Sequence, residues 1–242
     1  MNDNEKLEGK EVNLKVSAKL ENFWYHYKWH TVIALFLIVF ITVCTLQMCQ
    51  RESYDVYVMY AGGGNLDRTS QNGDLPEYVK AQNSLSGYSD DYNGDGEVNP
   101  LILSLFIPSD EEIAKIESSG GSVNYGQIQD NTKTLSQNML MSEYYVCLFS
   151  KAVFDEYNKT HGAFMPLSMY APQDSDIRYY NECAVYLSSL EIYKKEGFSS
   201  LPEDTVVCIR TKGAVSSLFD KDGNEKAYAA SEDLIRKLLG AD

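Results

Sequence analysis

The period of the hydrophobic positions changes along this chain, and each change marks an element. Residues Val12 to Phe23 carry apolar side chains at 12, 14, 16, 18, 20 and 23, and predict a tail that becomes a helix continuous with the next segment. From Trp29 to Gln50 the sequence WHTVIALFLIVFITVCTLQMCQ holds no formal charge with His30 neutral. At about 1.5 Å per residue these 22 residues reach about 33 Å, enough to cross a hydrocarbon core of about 30 Å. A membrane span is expected here. Beyond it, short β-branched or alternating runs predict strands at Tyr54–Tyr60, Pro100–Ile107, Tyr144–Ser150, Ala184–Leu187 and Thr205–Arg210. Runs of helical period lie between them.

Local stop and start signals bound those helices. Pro76 opens a short helix through Leu85 with Asp74 as its cap, and Ser109 with Glu112 forms a capping box before EEIAKIESS, which Gly120 and Gly121 end. Asp130 is the candidate cap of the next helix, after a polar loop through Gln129, and Lys151–Thr160 is a further helix stopped at Gly162. The segment from Met169 to Cys183 reads as a loop, Leu190–Lys195 as a helical turn, and Pro202–Asp204 and Lys221–Asn224 as turns. Ser231 caps a closing helix whose Leu234, Ile235, Leu238 and Leu239 share one face. The succession predicts an α/β fold, a mixed sheet flanked by helices and preceded by one transmembrane helix. Three regions follow: a cytoplasmic tail with an aromatic interfacial segment at 1–28, the span at 29–50, and an extracytoplasmic α/β domain at 51–242.

Phe23, Trp24, Tyr25, Tyr27 and Trp29 crowd one end of the span with Lys28 among them, the pattern of an interfacial belt. Lys15, Lys19 and Lys28 outweigh Arg51 and Arg68 near the span, so the N-terminus is expected inside. The apolar run is longer than a secretory signal and bulky Met48 precedes Cys49, which favours an uncleaved signal anchor over a lipoprotein. The expected location is the cell membrane, crossed once.

Charge sharpens this division. Residues 1–50 hold five acidic and five basic residues, so the whole formal charge of −14 rests on 51–242, which has 30 acidic and 16 basic. Such a domain is repelled by phosphate backbones, which excludes nucleic acid as a partner, and suits cations or a basic partner. Cys147, Cys183 and Cys208 lie outside the span. An odd, sparse set argues for packed thiols, with a Cys183–Cys208 bridge left open.

The most specific motif is DYNGDGEVN. Asp91, Asn93 and Asp95 alternate, Gly96 permits a sharp turn, Glu97 stands where a calcium loop offers its backbone carbonyl, and Asn99 comes two later. Hard cations need several oxygens on a tightly curled backbone, so Asp91, Asn93, Asp95, Glu97 and Asn99 form a candidate Ca2+ site. The nine residues resemble the calcium loop of dockerin modules and, more loosely, of EF-hands. They depart from it at Ile102, where those families place a bidentate acid, so a metal would need a further oxygen such as Asp90. The other reading is an Asx turn that tightens a strand entry.

The run from Thr134 to Leu167 resembles the extracellular solute-binding proteins of ABC importers, in its order of helix, central strand, short helix and Gly-aromatic-x-x-Leu segment. Those proteins have two lobes, and this chain is short for both. The tail, aromatic belt and YDVYVMYAG also resemble single-span membrane proteins of gut Clostridia, which implies a location and no activity.

Catalytic signals are sparse. His161 is the one histidine outside the membrane region, so any Cys147–His161 chemistry depends on it, yet a histidine beside Gly162 also suits a helix end. Gly62, Gly63 and Gly64 follow a strand without the spacing of a phosphate loop. Eighteen tyrosines offer material for an adaptable binding surface. The expected function is a membrane-anchored, non-enzymatic binding or interaction domain, calcium-stabilised and related to a solute-binding core. Its ligand is a protein, peptide or small molecule. The alternative is a cell-surface hydrolase using acidic residues, such as Asp155 with Glu156 or Asp174 with Asp176.

Overall fold

A computed structural model describes residues 24–25, 27–45, 54–64, 66, 74–141, 143–159, 162–170, 176–212 and 221–241. The chain divides into two compact units, 1–52 and 53–242. In the first, helix α1 (Tyr27–Thr45) is long and apolar enough to cross a membrane. Its apolar side chains, Leu35, Phe36, Ile38 and Phe40 among them, are exposed. The predicted tail helix over residues 12–22 lies outside the described residues.

The second unit is built on one six-stranded mixed sheet in the order β2-β1-β3-β6-β5-β4. Its strands are β1 (Val56–Gly62), β2 (Pro100–Phe106), β3 (Val146–Phe149), β4 (Tyr179–Asn181), β5 (Ala184–Tyr186) and β6 (Val206–Ile209). The helices are α2 (Glu77–Ser86), α3 (Asp110–Ser118), α4 (Tyr125–Met141), α5 (Lys151–Asn158) and α6 (Lys221–Leu238). β2, β1 and β3 run parallel, whereas β6, β5 and β4 continue the sheet antiparallel. The predicted α/β class and mixed sheet are therefore present.

The central strands are apolar on both faces because both faces are covered. Val56, Val58 and Tyr60 of β1 join a core with Ala81 and Leu85 of α2 and with Leu234, Ile235 and Leu238 of α6. Met59 and Ala61 point the other way, into a core with Leu135 of α4 and with Val153 and Phe154 of α5. Strand alternation thus separates two helical layers.

Several local expectations change. The run at 100–107, apolar enough to predict a strand buried on both faces, is instead an edge strand, with Leu101 and Leu103 half-buried, and Pro100 takes the first position that an edge tolerates. Pro76 occupies the N-cap position of α2 and no side chain caps it, so Asp74 does not. α4 begins before Asp130 because Asn124 Oδ1 accepts the Gln127 N–H at 3.1 Å. Asp130 becomes a mid-helix residue paired with Lys133. The expected KDGN turn is the start of α6, where buried Tyr228 and Ala230 extend the apolar face backwards. That burial outweighs the roughly 1 kcal/mol that Gly223 costs a helix. Ser231 lies inside α6 and donates to the Ala227 carbonyl at 2.7 Å rather than capping. β4 was expected to be loop; three residues with one paired side carry too little period to read.

Candidate functional site

The predicted ligand residues lie on one exposed loop leading into β2. A buried carboxylate outside the motif holds it. Asp55, just before β1 and 4 % exposed, accepts the N–H groups of Tyr92 at 2.8 Å and Asn93 at 3.1 Å through Oδ1, and that of Asn99 at 2.7 Å through Oδ2. The loop side chains then turn onto the loop's own amides. Asp91 accepts from Gly94 and Gly96 at 2.6 and 2.8 Å, Asn93 from Asp95 at 2.8 Å, and Asp95 from Glu97 at 2.9 Å. Gly94 and Gly96 adopt φ of 78° and 88°, which only glycine takes without strain.

A second set of contacts ties the loop to α6. The Tyr92 hydroxyl donates to Asp233, and Lys237 pairs with Asp90 at 2.7 Å and with Asp233 at 3.0 Å. Burial alone would raise the Asp233 pKa, but the Tyr92 and Lys237 hydrogen bonds outweigh it and hold the carboxyl below the usual range. Asp90, the sequence's candidate for an extra oxygen, is thus engaged by an ammonium. Among the described residues no group of three or more His, Cys, Asp or Glu side chains is arranged to hold a metal ion. The oxygens of this set share one tight loop and accept hydrogen bonds from its own backbone amides.

The other sequence candidates lie apart. Asp155 accepts the Tyr180 hydroxyl at 2.8 Å, burial and that bond pushing the phenol up to about 12, while Glu156 pairs with Lys159. Asp176 is exposed, and Asp174 and His161 lie outside the described residues. Cys147 and Cys208 are register partners across β3 and β6, and both, like Cys183, are free thiols. The Cys183–Cys208 bridge is absent.

The opposite end of the sheet was not read from sequence as a site. β1 and β3 are parallel neighbours, and their chains leave to opposite faces, β1 toward α2 and β3 into α5. In open α/β sheets this switch point, outside the carboxyl ends of the strands, is where ligands bind. Three parts meet there. Ser150 caps α5 by accepting the Val153 N–H and donates its own N–H to Ala61. The Tyr60 hydroxyl accepts the Gly64 N–H at 2.8 Å, and burial, with Glu112 and Asp204 nearby, pushes that phenol well above its ordinary range. The Glu112 carboxylate rests on Gly63, where an added Cβ would lie 2.1 Å from Oε1. The glycine run therefore admits neighbouring side chains rather than forming a phosphate loop.

No protein-family model, curated protein or solved structure matches this sequence.

Proposed function

We propose that this chain is a membrane-anchored binding protein, held in the bilayer by α1 with its α/β domain outside the cytoplasm. The domain takes a small-molecule, peptide or protein ligand without chemical turnover. The observation that carries this reading is the switch point between β1 and β3, where Gly62–Gly64, Ser150 and Tyr60 gather. The resemblance of 134–167 to solute-binding proteins supports it, since β3 and α5 lie within that run. Full-length protein in nanodiscs, screened by thermal shift against amino acids, sugars and short peptides, tests it. A compound that raises the melting temperature of the wild type and has no effect on Ser150→Ala supports the assignment. Hits indifferent to Ser150 would move the ligand elsewhere.

A structural Ca2+ at Asp91, Asn93, Asp95, Glu97 and Asn99 is part of the same proposal, favoured by the oxygen-rich curled loop that Asp55 preorganises. Exposed loop carboxylates repel one another, and a divalent cation would offset that repulsion. Calcium at about millimolar concentration, the range of extracellular sites, should raise the melting temperature of the wild type. Asp95→Asn keeps an acceptor for the Glu97 amide while removing charge, and should abolish the response. An unresponsive wild type would leave the loop as an Asx turn.

A further inference from the structure

We propose that helix α3 is a displaceable lid over the carboxyl end of β1, latched by Glu112. This rests on the reading of that end as the binding end. α3 differs from the other helices of the domain in how it is held. α2, α4, α5 and α6 each insert buried apolar side chains into one of the two cores. α3 buries no residue, and neither Ile113 nor Ile116 packs against either core. A helix of nine residues is too short to persist by propensity alone, so its docking depends on a few contacts.

The polar contacts among them are local. The Glu112 Oε2 accepts the Ser109 N–H at 2.7 Å and the Ser109 hydroxyl at 3.0 Å, closing the box at the start of α3. The same carboxylate lies against Gly63, one residue beyond β1, and brings the helix onto the switch point. Farther along, the Tyr125 hydroxyl donates to Glu117 at 2.8 Å on an exposed surface. Pro108 ends β2's run ahead of α3, and Gly120 with φ 83° follows the helix, so α3 is bounded on both sides by residues that separate it from β2 and α4. An element with few buried apolar contacts opens at lower free energy than the core it covers. Swinging α3 away withdraws a carboxylate from Gly63 and uncovers the end of β1.

Hydrogen exchange on the full-length protein in nanodiscs tests this without any ligand. Residues 110–118 of the wild type should exchange about tenfold or more faster than α2 and the buried strands, through opening independent of global unfolding. Gly63→Ala places a methyl group where the Glu112 carboxylate rests, at a backbone conformation that alanine accepts. It should speed exchange in α3 several-fold while leaving α2, α4 and β3 protected as before. Glu112→Ala, which removes the latch from the other side, should do the same. Wild-type α3 protected as strongly as α2 and β3 would overturn the proposal. So would variants that accelerate exchange uniformly across the domain. Either result leaves the ligand screen free to succeed or fail on its own terms.

Discussion

Asp55 is the residue on which the candidate calcium loop depends. It is nearly fully buried and its charge is spread over three backbone amides drawn from both ends of the loop. Hydrogen bonds to a charged acceptor are worth more than neutral ones, and deleting the acceptor leaves buried donors unpaired. Asp55→Ala should therefore destabilise the domain by about 2–4 kcal/mol in denaturant unfolding. Asp55→Asn, which keeps one acceptor oxygen, should lose less. Equal losses would show that packing rather than amide capture is what Asp55 supplies. Nothing in the sequence singled it out, because one Asp ahead of a strand has no spacing to read; the alternating Asp91, Asn93 and Asp95 were legible because their period is local.

At the scale of elements, the loop and α6 hold each other through Tyr92, Asp90, Asp233 and Lys237. The Asp233 carboxyl titrates below its ordinary range in the folded chain, so its contribution is present above the unfolded pKa and fades as pH falls through the folded value. The wild type should lose stability between about pH 4 and more acid conditions, and Asp233→Asn should lose less over that window. A pH profile unchanged by the mutation would mean that Lys237 is held by Asp90 alone. Element type was largely readable: the Ser109–Glu112 box, the helix stop at Gly120 and the apolar face of α6 are all present. Boundaries failed where a weak local signal met burial. Lys221–Asn224 has turn composition, yet it continues a helix whose Tyr228 and Ala230 are buried, and Asn124 rather than Asp130 starts α4.

For the whole molecule, two units of opposite character share one chain. α1 exposes its apolar side chains and holds no Asp, Glu, Lys or Arg beyond Lys28, while the 53–242 unit buries two cores around one sheet. If α1 spans the bilayer, an arginine at its centre costs about 2.5–3.5 kcal/mol of insertion. Ile38→Arg should therefore shift the protein from the alkali-resistant membrane pellet toward the soluble fraction. Protease added to intact cells should digest the 53–242 domain and spare the N-terminal tail. Protection of the domain instead would reverse the proposed orientation.

Sequence alone determined what depends on near neighbours: the apolar length of α1, the alternation of β1, the capping box of α3, and the acidic balance of residues 51–242. Each is a sum over residues within one or two turns of one another, so the chain states it directly. Only the tertiary structure decided that β2 lies at an edge, that β1 and β3 adjoin as a parallel pair with chains leaving to opposite faces, and that Asp55 captures a loop 37 to 44 residues away. It also decided that Glu112, a capping residue by sequence, rests on Gly63 at the end of β1. Those placements follow from which strands pair across long stretches of chain, and pairing is selected by the burial of both faces of the sheet at once, which no local window contains.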